Sequence, residues 1–387
     1  MERIVIVGAG LTAAYAAETL REEGWDGELT VVGAEKLLPY PRPQLSKEVL
    51  QDTKEFHLQY EADFYADQNI EVITGAKATE LDLHNRRVTL NEGRQLDYDG
   101  LLLATGASPR PLSVPGADRA YVLRTRADEQ QLHAAFAPEK RLVIIGAGWI
   151  GLEVAASARQ AGLEVTVLDR GPAPMQALLG DELSAYLQRL HESHGVDIRN
   201  GIEVQEITPD SVLADGEEFP ADIVLAAIGV EPETALAESA GLGVSDGIIA
   251  DVSLRSTDPQ VWAAGDVAKA THALYGPLRV EHWDNAIRQG KAAARAMLGQ
   301  EVRYDWQPYF FTDQFEFSME YVGHSRPHDE VVVRGNLSDN EFIAYWLGGD
   351  EGRTVTAAMN VGIWDVNDQL RELIGTTVDP ATLTDLR

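Results

Sequence analysis

Two stretches of the chain space their glycines for one kind of chemistry, the gripping of a pyrophosphate. In residues 141–170, RLVIIGAGWIGLEVAASARQAGLEVTVLDR, Gly146, Gly148 and Gly151 fall in G-x-G-x-x-G spacing directly after an apolar run at 142–145. The first glycine allows a tight turn, the second lets the phosphates approach the backbone, and the third lets a helix pack on the strand. The helix entered through Trp149 and Ile150 aims free N–H groups and the positive end of its dipole at the phosphates. A second apolar run at 164–168 ends in Asp169. An acid there accepts hydrogen bonds from both ribose hydroxyls and repels a 2′-phosphate, which favours NAD over NADP. G-x-G-x-x-G alone is a weak signal; strand, motif, helix, strand and acid in that order is a strong one.

A second copy opens the chain. A short strand at residues 3–7 leads into Gly8-Ala9-Gly10-Leu11-Thr12-Ala13, with Ala13 in the third position, which the fingerprint permits. A helix to about Arg21, a strand at 29–32 and Glu35 as the ribose acid complete it. Two such folds imply two nucleotides that meet. A flavin and a nicotinamide are the usual pair, because hydride transfer needs donor and acceptor held face to face. A duplication with one inactive copy is the structural alternative.

Further residues gather around these two cradles. Pro39-Tyr40-Pro41-Arg42-Pro43-Gln44-Leu45-Ser46-Lys47 reads as a shaped loop before a short helix from Ser46, since its prolines bar regular structure. Arg42 is a cation suited to a phosphate, and Lys47 follows it. The apolar run at 101–103 closes on Ala104, Thr105 and Gly106, small residues that allow close approach to a cofactor. A buried strand starting at Asp222 closes on Gly229. A further strand, Gly-Asp turn and helix are expected over 261–268, where Asp266 offers a carboxylate to ribityl hydroxyls.

The elements that must position these residues divide the chain. The expected class is α/β, with two Rossmann-like dinucleotide-binding domains and a C-terminal α+β domain. A discontinuous first domain spans 1–113 and 246–322, the second nucleotide domain 114–245, and the tail 323–387. The tail shows strand-like runs at 330–334, 342–347 and 355–361, then an amphipathic helix with Val366, Leu370, Leu373 and Ile374 on one face.

Composition narrows the chemistry. The 387 residues contain no cysteine, which removes disulfides, thiolate-held iron–sulfur clusters and redox-active thiols, and no metal site is expected. A formal charge of -30 repels nucleic acid and anionic membranes. The longest apolar run, 223–230, is far short of a membrane span, and the N-terminus reads as strand rather than signal peptide. A cytoplasmic protein is expected.

With these motifs in place, the chain resembles the flavin-dependent ferredoxin reductases of bacterial oxygenase systems, which share the glutathione-reductase type of fold. PYPRPQLSK (39–47), LLLATGASPR (101–110), GAGWIGLEVAA (146–156), AAGDVA (263–268), EHWDNA (281–286) and PYFFTDQ (308–314) carry the resemblance, in the family's order along the whole chain. It departs from the pattern at Ala34, Gln44 and in Phe310-Phe311-Thr312-Asp313-Gln314, where the family has an Asp, a Pro and a Trp-containing signature.

The resemblance implies FAD in the discontinuous domain, NADH in the middle one, and a tail that closes over the flavin. It adds Arg110 and Trp283 to the cofactor contacts and places Trp149 as an aromatic gate over the nicotinamide. It also pairs Lys47 with Glu153 beside the reacting flavin nitrogen. The implied activity takes a hydride from NADH onto FAD and passes electrons one at a time to a 2Fe–2S ferredoxin, which feeds a mono- or dioxygenase. Without cysteine, electrons must leave from the flavin itself.

Such a ferredoxin is usually acidic, so docking on this acidic chain needs a local basic patch. Arg288, Lys291 and Arg295 recur at helical spacing and form the candidate. The alternatives are an NADH-dependent rubredoxin reductase, an NADH:quinone or oxygen oxidoreductase, and an apoptosis-inducing-factor-like NADH sensor.

Overall fold

The computed structural model describes residues 1–349 and 352–386. The chain forms two compact units, one of Met1–Arg42, Phe56–Ser108 and Val230–Pro308, the other of Pro43–Glu55, Pro109–Gly229 and Tyr309–Arg387.

The first unit is built on a parallel five-stranded sheet in the order Val261–Ala263, Gly100–Leu103, Arg3–Val7, Glu28–Gly33, Ile70–Thr74. Its central strand is apolar on both sides because both faces are covered. Ile4 and Ile6 join Leu29, Val31 and Leu102 on one side, while Val5 and Val7 join Val32, Leu101 and Leu103 on the other. The first side is covered by helices Leu11–Glu22 and Trp283–Met297, which approach through small residues: Ala13, Ala16 and Ala17 against Ala293 and Ala294. A Cβ on Gly290 would sit 2.4 Å from the Thr12 carbonyl, so the helix crossing itself demands glycine there.

The second unit contains a parallel four-stranded sheet, Val196–Asn200, Glu164–Asp169, Arg141–Ile145, Ile223–Ala226, with helices Trp149–Gln160 and Gln176–Ser193. It also holds an antiparallel five-stranded sheet in the order Tyr309–Gln314, Phe317–Gly323, Thr354–Val361, Glu341–Gly348, Glu330–Asn336. Alternation along its strands separates two cores. Phe342, Ala344 and Trp346 pack with Leu152, Leu183 and Leu187 from the helices, whereas Ile343, Tyr345 and Leu347 pack with Val366 and Leu370 around the short helix Asn367–Leu373.

Both Rossmann-like folds and the α+β tail are therefore present, and the class is α/β. The strands Tyr309–Gln314 and Phe317–Gly323 hydrogen-bond into the tail sheet, so the boundary expected at 323 falls at the end of that sheet's second strand rather than before its first. Residues 43–55 likewise belong to the second unit.

Two local expectations are corrected. No regular helix starts at Ser46. A 3-10 turn, Arg42–Leu45, runs into irregular turns whose N–H groups reach back by five residues and then by four, as in Val49 N–H to Gln44 O and Gln51 N–H to Lys47 O. After Asp266 the chain enters a strand, Ala268–His272, rather than a helix, because it finds a parallel partner in Ile248–Ala250.

Candidate functional site

In the first unit, Gly8 takes φ +111, and a Cβ on it would lie 2.0 Å from the Ala104 carbonyl oxygen. Only glycine fits this turn between two strand ends. Gly10 then opens the helix Leu11–Glu22 without a side-chain cap, and nothing lies within 4 Å of where its Cβ would be. Uncapped helix N–H groups facing open space suit a pyrophosphate. Ala13 is fully buried one turn further on.

At the end of the neighbouring strand, Glu35 accepts from Tyr40 Oη at 2.5 Å and from Arg42 Nη2 at 2.7 Å. Arg42, expected from the sequence near a phosphate, is held here against Glu35. Burial opposes the guanidinium charge, but Tyr40 and Glu35, with Asp266 adding, raise its pKa above the ordinary value. Asp266 thus acts electrostatically on the same arginine. The Thr105 hydroxyl donates to the Glu233 carbonyl at 2.7 Å, and the Gly106 carbonyl accepts from the Glu233 N–H at 3.0 Å. Trp283 begins its helix with an exposed ring.

The second unit repeats the cradle. Gly146 has φ +107, with the Ala227 carbonyl oxygen 2.5 Å from a hypothetical Cβ, and a Cβ on Gly151 would lie 2.2 Å from the Gly146 carbonyl oxygen. Gly148 again opens an uncapped helix onto empty space. Asp169 accepts backbone N–H groups from Ala147 (3.1 Å) and Gly171 (2.9 Å), which draws the glycine loop and the acid together. Trp149 packs on Phe310, with centroids 5.5 Å apart, and Ile150 is exposed. Gly229 has φ +94, and its carbonyl accepts from Arg110 N–H at 3.0 Å.

The same unit brings Lys47 and Glu153 together. Lys47 Nζ lies 2.8 Å from Glu153 Oε1, with both side chains less than a tenth exposed. A buried ammonium needs its counter-charge and its remaining hydrogen bonds satisfied. Glu153 also accepts from Ser46 Oγ and Thr312 Oγ1, each at 2.5 Å, and Lys47 sits 5.4 Å from the centre of the Phe311 ring. The sequence assigns no site role to Tyr40, Ser46, Thr312, Gln314 or His191, and Ser46 enters it only as an expected helix start. The alternation of strand Tyr309–Gln314, which turns 312 and 314 to the same buried side, was the available signal.

The profile of the pyridine nucleotide-disulphide oxidoreductase family matches residues 2–290, and a reductase C-terminal profile matches 309–387. The chain belongs to this oxidoreductase family. Among its relatives is putidaredoxin reductase of Pseudomonas putida, 37% identical over 365 residues that cover 90% of this chain and 86% of that protein. The ferredoxin–NAD(+) reductase component of the anthranilate 1,2-dioxygenase system of Burkholderia cepacia is 35% identical over 392 residues, covering 98% of this chain and 96% of that one. In the covalent putidaredoxin reductase–putidaredoxin complex, a chain 35% identical superposes with a TM-score of 0.93, over 98% of this chain and 95% of that one.

Within this family the cradles suit FAD and NADH, since each pairs a glycine-enforced turn with an open, uncapped helix N-terminus. The candidate docking cations are all engaged. Arg288 bonds Asp284 at 3.2 Å, Lys291 lies 3.7 Å from Glu18, and Arg295 lies 2.9 Å from Glu23. Each cation is locally balanced, so this helix face is less positive than its sequence suggests. Among the described residues no helix is long and apolar enough to cross a membrane, and no cluster of His, Asp and Glu is arranged to hold a metal.

Proposed function

We propose that the chain is the NADH-dependent flavoprotein reductase of a bacterial oxygenase system, working in the cytoplasm and delivering electrons to a 2Fe–2S ferredoxin. The observation that carries this reading is a pair of glycine-built nucleotide cradles in a chain without a cysteine. Two nucleotides support hydride transfer, and the missing thiol leaves no dithiol relay of the kind other flavoprotein reductases use. End-to-end similarity to oxygenase-system reductases favours a ferredoxin as acceptor.

Gly8, Gly10 and Ala13 make room for the FAD pyrophosphate, Glu35 binds its ribose, and Asp266, Ala104, Thr105, Gly106 and Trp283 complete that site. Gly146, Gly148 and Gly151 serve NADH, with Asp169 on its ribose and Trp149, Ile150, Arg110 and Gly229 around it. Bound FAD supplies the hydride acceptor and the means to release electrons singly. Lys47, positioned by its ion pair with Glu153, steadies the negative charge that develops during hydride transfer. Arg288, Lys291 and Arg295 remain the docking candidates.

Stopped-flow reduction of the flavoprotein by NADH and by NADPH tests the assignment. NADH should be favoured at least ~10-fold in kcat/KM, the effect of an acid against a 2′-phosphate. Equal values would refute the role given to Asp169.

A further inference from the structure

The Lys47–Glu153 pair does not end at Glu153. Thr312 Oγ1 is 2.5 Å from Glu153 Oε1, Gln314 Nε2 is 3.1 Å from Thr312 Oγ1, and His191 Nε2 is 2.8 Å from Gln314 Oε1. Glu153 is 3% exposed, Thr312 and His191 0%, and Gln314 1%. His191 comes from the helix Gln176–Ser193, and its Nδ1 has no hydrogen-bond partner. The chain of contacts therefore runs from the buried lysine to the helix that follows the NADH cradle.

Its direction follows from chemistry. A carboxylate paired with an ammonium only accepts, so the Thr312 hydroxyl donates to Glu153. That hydroxyl has one proton, so toward Gln314 it accepts, and the Gln314 amide must present its NH2. The Gln314 carbonyl then faces His191, which must carry its proton on Nε2. Every proton points toward Glu153, and no member can be reversed alone without setting two donors or two acceptors against each other. Burial disfavours the charged ring and pushes the His191 pKa down to about 4, so the donor is the neutral tautomer.

We propose that Thr312, Gln314 and His191 are positioning residues for hydride transfer, forming a one-way hydrogen-bond chain that stabilises the Glu153 carboxylate and fixes where it holds Lys47. This rests on the role proposed for Lys47. Donors aimed at Glu153 spread its negative charge. Losing the Thr312 donor concentrates that charge on the carboxylate, disfavours a reduced flavin and loosens the geometry of Lys47.

The test uses the full-length flavoprotein. Nitrogen-15 NMR of the imidazole rings, with His191 assigned through His191→Gln, reports the tautomer. The flavin midpoint potential is measured by chemical reductive titration, which needs no NADH, in Thr312→Val, Thr312→Ser and Gln314→Glu. A carboxylate at 314 accepts from both neighbours and pulls the Thr312 hydroxyl away from Glu153, so Gln314→Glu breaks the chain without depending on Thr312→Val folding.

The expected result is a neutral Nε2–H His191. Thr312→Val and Gln314→Glu should shift the potential negative and slow the limiting rate of flavin reduction about tenfold, the loss of one charge-assisted hydrogen bond. The NADH dissociation constant should not change, and Thr312→Ser should retain wild-type behaviour. A proton on Nδ1 would overturn the chain's direction. Folded variants with an unchanged potential would overturn its positioning role. If NADH fails to reduce the wild-type flavin, the proposed function is wrong, while the tautomer and the potential still decide the chain.

Discussion

Replacing Glu153 by Gln keeps the volume and removes the charge. In the structure this strands the Lys47 ammonium, which is 7% exposed, and puts an amide NH2 where three groups now donate to the carboxylate. Ser46 and Thr312 both point hydroxyl protons at this side chain, so at least one of them loses its acceptor. Breaking a buried ion pair from one side costs about 3–5 kcal/mol, most of it the penalty of an uncompensated charge. Against typical domain stabilities of about 5–15 kcal/mol this is a large fraction. With a urea m-value of ~3 kcal/mol/M for the second unit, the midpoint should fall by about 1–2 M. Adding Lys47→Met removes the stranded charge and should recover more than half of the loss. The assay is urea unfolding followed by tryptophan fluorescence at pH 7 for wild type, both single variants and the double variant. A loss under about 1 kcal/mol for Glu153→Gln, or strictly additive effects, would refute the claim that the two charges depend on each other.

Three further outcomes follow from the same geometry. Gly148→Ala meets open space at φ −79, so stability should hold within ~0.5 kcal/mol while NADH binding weakens about tenfold, read by calorimetry; unchanged affinity would remove Gly148 from the NADH site. His191 faces Gln314, Phe315 and His194, and burial lowers its folded pKa to about 4 from 6.5. The unfolded state then binds more protons between those values, so this residue's contribution is complete above pH 6.5 and is lost as pH falls toward 4, up to ~3 kcal/mol. His191→Gln should flatten the loss of thermal stability between pH 7 and pH 5, and an unchanged slope would show that other groups cause it. Replacing Arg288, Lys291 and Arg295 together by Ala exposes Glu18, Glu23 and Asp284 and should raise the ferredoxin KM about tenfold at low salt, without slowing flavin reduction. An unaltered KM would move the docking face elsewhere.

What the sequence made legible is what the backbone dictates locally. Gly8 and Gly146 sit at positive φ with a carbonyl oxygen 2.0 and 2.5 Å from any Cβ, so the need for glycine is written at those positions. The apolar runs of the parallel strands are legible for the same reason, since a strand covered on both faces has no polar side. What was not legible depends on partners far along the chain. Thr312 meets Glu153 across 159 residues and His191 meets Gln314 across 123, and neither pairing leaves a periodic trace.

The turns after Leu45 read as a helix because propensity knows nothing of Glu153, which takes both the Ser46 hydroxyl and the Lys47 ammonium. The strand after Asp266 was lost to a helix because its parallel partner, Ile248–Ala250, comes from a separate segment. The charge of Arg42 is legible in the sequence, but its bond to Glu35 beside Tyr40 is not.

The central claim is that electrons taken from NADH leave this protein for a 2Fe–2S ferredoxin. NADH-driven cytochrome c reduction by the purified flavoprotein, with and without such a ferredoxin, tests it most directly. The account predicts slow reduction alone and at least tenfold stimulation by ferredoxin. Rapid bleaching of the flavin by NADH with no stimulation would contradict it and point to quinone, oxygen or rubredoxin as the acceptor.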